Sequence, residues 1–308
     1  MDLIKDYSSD DSEETKEEDR EEGQLIPVIA PLNIYSQNYS AHHNMSSIFL
    51  YIPWNPPLRV VSQLKSISNN IVNELRKNLP SEVSDKYNWR LIGVPSKTAE
   101  GSFSITNNFM LRNYHISLCP NIRGDQDKIQ KYIENFQYTV SRMKVPGELV
   151  TPDHSEAERI QNINRILFKE TEKTASKQKN YISLRLGNSL SLFRSNSSNN
   201  LFVTGKIRMD PSSRRFFDSM ETAITHNVNL LDVTKEGSTD QKQTYHISLI
   251  VGEFKGLRPK RNEIEQIKKI IENMNISKQL SEIPINVDQI KISELSVKHL
   301  SHDIRFRI

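Results

Sequence analysis

The chain has 308 residues, of which 36% are hydrophobic and 26% are charged; this length fits one large domain or two lobes that share a core. Its single cysteine, Cys119, excludes an internal disulfide bond, and no Cys/His cluster has the spacing of a zinc site. The net charge of +3 conceals a division, because residues 1–22 hold eleven acidic and three basic side chains and the remainder carries +11. A basic globular part is typical of proteins that bind polyanions, although it can also be an ordinary surface.

The sequence gives no indication of a membrane or secreted protein. No stretch approaches the roughly 20 apolar residues of a membrane-spanning helix, and the acidic N-terminal segment lacks the pattern of a secretory signal. A lone cysteine is typical of a reducing compartment such as the cytosol or the nucleus. We therefore expect a protein that works away from membranes.

The first half of the chain predicts a disordered tail and then a folded lobe. Residues 1–24 are too acidic to bury a core and are expected to be disordered, and residues 25–45 form an extended lead-in. The folded domain is expected over 46–308, with its first lobe over 46–143. In chain order the pattern of that lobe predicts a strand at 47–53, a helix at 58–79, a short strand at 89–93, a polar loop at 95–108, a strand at 111–119 and a helix at 129–140.

Residues 144–179 interrupt this alternation of strands and helices with Pro146, Gly147, Pro152 and a charged run. We interpret the segment as an insertion, with a helix near 155–170. It is either a mobile surface loop or a lid over the functional face.

The second lobe, 180–308, repeats the plan of the first, with an exchange of terminal strands between the lobes as an open alternative. The pattern predicts strands at 181–186, 189–193 and 201–209, a helix from Pro211 to Val228, a polar loop at 232–243, a strand at 244–251, a basic amphipathic helix that follows it, and strands at 285–294 and 302–308. Each half is therefore predicted to contain, in order, a strand, a helix, a loop, a strand and a helix. We predict an α+β fold of two pseudo-symmetric lobes, each an antiparallel sheet with packed helices, with the two central strands facing each other across a cleft.

One pentapeptide, Y-H-I-S-L, occurs at 114–118 and again at 245–249. Both copies lie in alternating runs that predict half-buried strands, on which successive side chains face opposite sides. The first copy therefore places His115 and Ser117 on one face, and the second copy places His246 and Ser248 on one face. The tyrosine, isoleucine and leucine of each copy face the core.

Two imidazoles presented in matching ways suit acid/base catalysis of phosphoryl transfer. Imidazole titrates near neutral pH, so one ring can accept a proton while the other donates one. RNA carries its own nucleophile in the 2′-hydroxyl beside each phosphodiester, and the serine hydroxyls can hydrogen-bond the non-bridging oxygens. This chemistry requires no metal. His226, His299 and His302 have no matching partners and are interpreted as structural residues, and Cys119 as a buried bystander.

The two motifs resemble those of the 2H phosphoesterase superfamily, which is named for two H-x-[S/T] motifs on pseudo-symmetric lobes. More closely, the chain is similar to the eukaryotic U6 small nuclear RNA phosphodiesterase family, especially its fungal members. The resemblance covers residues 46–308 and depends on His115–Leu118, His246–Leu249, the predicted strand Leu201–Met209 and the acidic segment Tyr7–Glu14.

This resemblance implies a 3′-to-5′ exoribonuclease that trims the oligouridine tail of U6 small nuclear RNA and leaves a cyclic or terminal phosphate. It implies His115 and His246 as acid and base, with His246 favoured as the base, and Ser117 and Ser248 as phosphate ligands. It further implies a nuclear monomer in the splicing pathway, with single-stranded U-rich RNA as its partner and no metal or other cofactor.

Two other interpretations remain open from the residues. One keeps the fold and changes the substrate, giving a 2′,3′-cyclic phosphodiesterase or an enzyme that joins RNA ends. The other is a non-catalytic RNA-binding module that uses the basic face, which would have no need for matched histidines.

Overall fold

The computed structural model describes residues 28–29, 45–93, 113–152, 180–195, 199–236, 244–256, 259–277, 280, 289–300 and 302–308. The predicted acidic tail, most of the lead-in, the whole 95–108 loop, the proposed helix near 155–170 and residues 237–243 of the second loop lie outside these residues. The described helices are α1 Leu58–Asn78, α2 Ser81–Ser84, α3 Gln126–Ser141, α4 Pro211–Leu231 and α5 Arg261–Asn273, with a 3₁₀ turn at Gly147–Leu149. None of them is long and apolar enough to cross a membrane.

The described strands are β1 Val28–Ile29, β2 Met45–Trp54, β3 Tyr87–Leu91, β4 Tyr114–Ser117, β5 Ile122–Asp125, β6 Val150–Pro152, β7 Asn180–Ser195, β8 Leu201–Ile207, β9 Thr234–Lys235, β10 His246–Phe254, β11 Gln289–Ile292, β12 Glu294–His299 and β13 His302–Arg307. They form one curled sheet whose main path runs β1-β7-β8-β10-β4-β2-β12-β13. Among the described strands only the short β1 pairs in parallel, with β7. The fold is therefore α+β with an antiparallel sheet, as the sequence predicts.

The helices form where apolar residues recur with helical spacing, and they bury that stripe. Helix α1 begins after Pro57 and buries a run of residues three or four apart, which comprises Val60, Leu64, Ile67, Ile71 and Leu75. Helix α4 begins with Pro211, and the side chain of Asp210 accepts a hydrogen bond from the Ser213 amide. It ends at Leu231 and is followed by Asp232, which takes a left-handed conformation with a φ of 50°.

The two motif strands, β4 and β10, are hydrogen-bonded neighbours in this sheet, with Ile116 paired to Ile247. This differs from the prediction that they face each other across a cleft. The chain pairs the two halves at this one position, and the apolar side chains of both strands belong to one core. The repeated motifs therefore meet within one surface of one sheet.

Several elements differ from their predicted bounds. The two strands expected at 181–186 and 189–193 are one strand, β7, with an irregular register between Leu186 and Leu190. The described part of the expected insertion contains β6, which pairs with β7 through Val150 and Ile182. At the end of the chain, β12 pairs with β2 and β13 pairs with β12, so these strands extend the sheet on the β2 side.

Candidate active site

Four polar side chains of the repeated motif lie beside the position at which β4 and β10 pair, where Ile116 is the partner of Ile247. His115 and Ser117 flank Ile116, and His246 and Ser248 flank Ile247, so each pair shares one face of its strand. The two histidines are close enough for the charge of a protonated His115 to lower the pKa of His246.

The two histidines are held in the same way. Nδ1 of His115 donates to the backbone carbonyl of Asn113 at 3.1 Å, and Nδ1 of His246 donates to the carbonyl of Thr244 at 2.8 Å. A carbonyl can only accept, so this bond fixes the proton of each neutral ring on Nδ1. Nε2 then carries the lone pair, and both rings present the same nitrogen for proton transfer.

Both imidazoles are buried, with 4% of His115 and 7% of His246 exposed. Burial lowers the pKa of His115 to about 4, against a smaller opposing effect of its bond to Asn113. The pKa of His246 is likewise lowered to about 4, chiefly by burial and in smaller part by the charge of a protonated His115. Both rings are therefore neutral at pH 7 without a ligand, and an anionic ligand beside them would raise their pKa values.

The aromatic surroundings of the two rings were not predicted from the sequence. Phe193 of β7 stacks on His246, with ring centroids 4.3 Å apart and an interplanar angle of 25°. Phe49 and Tyr51 of β2 each lie edge-on to His115, at 5.8 Å. These contacts remove water from both imidazoles and fix their ring planes.

Tyr51 connects this face to the C-terminal strand β13. It lies opposite Ser117 in the β2–β4 ladder, and its hydroxyl donates to Oδ1 of Asp303 at 2.6 Å. Burial, followed by that hydrogen bond, raises the pKa of the Tyr51 hydroxyl far above its usual range. Tyr51 is therefore a neutral donor committed to a carboxylate 252 residues away in the chain.

Among the remaining residues named from the sequence, the two motif tyrosines and Cys119 are buried. Tyr114 donates to the carbonyl of Ile92 at 3.0 Å, and Tyr245 stacks on Phe217 at 3.9 Å. Of the three histidines interpreted as structural, His299 forms a hydrogen bond with Ser46 at 2.7 Å, whereas His226 and His302 are exposed. Within the described ranges no three His, Cys, Asp or Glu side chains are grouped as metal ligands would be.

Because the two histidines are buried, we expect the free energy of unfolding to decrease as the pH is lowered. Between pH 6.5 and pH 4 the unfolded chain binds protons at both rings and the folded chain does not, so lowering the pH favours unfolding. Each histidine contributes up to about 1.4 kcal/mol per pH unit over that window.

Urea unfolding at pH 7 and pH 5 measures this contribution. His115→Gln and His246→Gln should each lose less unfolding free energy between the two pH values than the wild type. His226→Gln, altered at an exposed histidine, should match the wild type. An identical pH dependence in all four proteins would contradict the assignment of neutral, buried imidazoles.

Comparison with known proteins gives a likeness in structure only. No protein-family model matches the chain, and a search of curated proteins found no match. Solved structures of Usb1 from Kluyveromyces marxianus share its fold. The one with uridine monophosphate has a TM-score of 0.52 at 11% identity, covering 85% of this chain and 98% of that chain. A second Usb1 structure has a TM-score of 0.51 at 11% identity, covering 86% of this chain and 98% of that chain. The chain therefore shares the fold of these Usb1 structures.

Proposed function

We propose that this protein is an RNA phosphodiesterase of the U6 small nuclear RNA phosphodiesterase family, a metal-independent 3′-to-5′ exoribonuclease that trims an oligouridine tail. The observation that carries the proposal is the placement of His115 and His246 beside the one paired position of β4 and β10, each with Nδ1 on a backbone carbonyl. The shared fold with Usb1 supports the family, and the uridine monophosphate of that solved structure supports a uridine-ended substrate.

The reaction is a transesterification within the RNA. His246 Nε2 takes the proton of the 2′-hydroxyl of the penultimate nucleotide, and the resulting oxygen attacks the adjacent phosphorus. The bond from phosphorus to the 5′-oxygen of the terminal nucleotide breaks, and His115 gives that oxygen a proton. The shortened RNA ends in a 2′,3′-cyclic phosphate, which water can open to a terminal phosphate, and the terminal nucleoside leaves.

The buried environment determines how the acid acquires its proton. With a pKa of about 4, His115 is neutral in the free protein at pH 7. A phosphodiester bound between the two rings brings a negative charge, which favours the imidazolium form and raises the pKa. Protonation of the acid is thus coupled to substrate binding, while His246 is already neutral and able to act as a base.

Ser117 and Ser248 follow His115 and His246 by two residues on the same strands, and the proposal assigns their hydroxyls to the two non-bridging oxygens. Hydrogen bonds there stabilise the charge that develops on the phosphoryl group as the 2′-oxygen attacks. Phe193, Phe49 and Tyr51 contribute by excluding water and holding the two rings. The proposed substrate is U6 small nuclear RNA, acted on by a monomer in the nucleus.

Incubation of a U-tailed RNA in excess chelator, with mass analysis of the products, tests this function. We expect stepwise loss of nucleotides from the 3′ end and a phosphate on the shortened RNA, at the rate seen without chelator. A parallel reaction with 2′,3′-cyclic nucleotides separates the related activity of the same fold. Loss of RNA trimming in chelator, or turnover of the small cyclic nucleotides alone, would contradict the proposal.

A further inference from the structure

Three basic residues continue the functional face beyond His246. Lys206 of β8 lies directly opposite His246. Arg208 follows two positions later, on the same face, and its amide donates to the carbonyl of Arg185 at 2.8 Å, which extends the β7–β8 ladder. Arg185 therefore lies opposite Arg208. All three side chains are exposed, and we refer to Arg185, Lys206 and Arg208 as the cation row.

The cation row has no counter-ion within the part of the chain that the structure describes. Other basic side chains of the sheet do have one, such as Arg90 with Glu253 at 3.0 Å and Arg305 with Glu294 at 3.0 Å. The acid nearest in sequence, Asp210, accepts from the Ser213 amide at the start of α4. Like charges placed directly opposite on a sheet destabilise it, so Arg185 and Arg208 are an arrangement suited to an external polyanion.

The two ends of the active face differ in charge. Beyond His115 the next strand presents the rings of Phe49 and Tyr51, with the Asp303 carboxylate behind Tyr51. Beyond His246 lies the cation row. An RNA bound for removal of its last nucleotide has many phosphates on the 5′ side of the cleavage point and none beyond the terminal nucleoside. Charge complementarity therefore places the 5′ side of the RNA over the cation row.

We propose that Arg185, Lys206 and Arg208 bind backbone phosphates of the RNA on the 5′ side of the scissile phosphate. The inference rests on the proposed ribonuclease function and specifies its substrate as a single strand several nucleotides long. Contacts to phosphates carry no sequence information, so this surface lengthens the preferred substrate without selecting its bases. The orientation also places the nucleotide that bears the attacking 2′-hydroxyl nearest to His246.

The length dependence of cleavage measures this surface. The dinucleotide UpU has only the scissile phosphate, whereas a uridine octamer has six further phosphates on its 5′ side. We expect the ratio of kcat/KM for octamer over UpU to fall about tenfold in the triple variant Arg185→Gln, Lys206→Gln, Arg208→Gln at low salt. Lys77→Gln and Lys269→Gln, which remove exposed charges on α1 and α5, should leave the ratio unchanged.

The salt dependence of binding gives a second readout that needs no turnover. An octamer that is entirely 2′-deoxy cannot react by the proposed route, so its binding can be measured without cleavage. The slope of log Kd against log salt should be smaller than that of the wild type by about one for each cation of the row that a variant lacks. The variant Lys206→Arg keeps the charge and should keep the slope of the wild type.

The outcomes distinguish this inference from the function on which it rests. If the triple variant keeps both the length ratio and the salt slope while the wild type cleaves RNA, the cation row is not a phosphate-binding surface. If the wild type cleaves no RNA, the proposed function fails. The salt slopes then still test whether the cation row binds phosphates. A reduced slope in the triple variant supports phosphate binding there, and an unchanged slope overturns it.

Discussion

His115→Ala and His246→Ala are each expected to lower the single-turnover rate of RNA cleavage by about 10²–10⁴-fold, the usual contribution of a positioned acid or base. Each substitution removes one of the two Nε2 atoms and leaves the other ring on its carbonyl. Without His246 the 2′-hydroxyl keeps its proton, and without His115 the leaving 5′-oxygen departs as an alkoxide. Either loss leaves the transition state with an uncompensated charge in a buried site.

The double variant should be little slower than the slower single variant. The two histidines act in one concerted proton transfer, and residues that act as a unit do not contribute additively. If the rate reduction in the double variant equals the product of the reductions in the two single variants, the histidines contribute independently.

His226→Ala provides the matched control, because His226 is an exposed histidine of α4. This variant should cleave RNA at the wild-type rate. Thermal unfolding at pH 7 should show all variants folded, since both imidazoles are neutral there. Wild-type cleavage by either His115→Ala or His246→Ala would contradict the catalytic assignment.

The elements that carry the repeated motif could be predicted from local sequence alone. The repeated pentapeptide lies in strands, as its alternation predicts, and the two-residue period of a strand predicts that His115 shares a face with Ser117 and His246 with Ser248. It also correctly assigns Tyr114 and Tyr245 to the core. These properties depend on neighbours within a few positions, and local alternation is sufficient to fix them.

The pairing of strands could not be predicted in the same way. The sequence does not state that β4 and β10 are neighbours, since 131 positions separate Ile116 from its partner Ile247. The contact of Tyr51 with Asp303 spans 252 positions. Alternation on β2 predicts that Phe49 and Tyr51 share a face, but only the sheet order shows that His115 lies on that face.

The stacking of Phe193 on His246 has a similar explanation. The irregular register between Leu186 and Leu190 makes one long strand of a segment that reads as two, and no local pattern marks such an irregularity. The ring that covers His246 therefore comes from a strand whose length and register depend on tertiary pairing.

A single missing oxygen in the substrate should have the largest effect of all. In the proposed reaction the nucleophile is the 2′-hydroxyl of the penultimate nucleotide, and replacing that hydroxyl by hydrogen leaves nothing for His246 to activate. An RNA with one 2′-deoxynucleotide at the penultimate position should therefore bind but lose no terminal nucleoside. The same substitution at the terminal nucleotide should be tolerated, because that sugar leaves with its 2′-hydroxyl unused.

The most direct measurement is the single-turnover cleavage of these two RNAs in chelator, with mass analysis of the product ends. The account predicts normal cleavage of the terminally substituted RNA, with a cyclic or opened phosphate on the product, and no cleavage of the RNA substituted at the penultimate position. Cleavage of both RNAs at the same rate would show that water rather than the 2′-hydroxyl attacks phosphorus, and it would contradict the two-histidine transesterification.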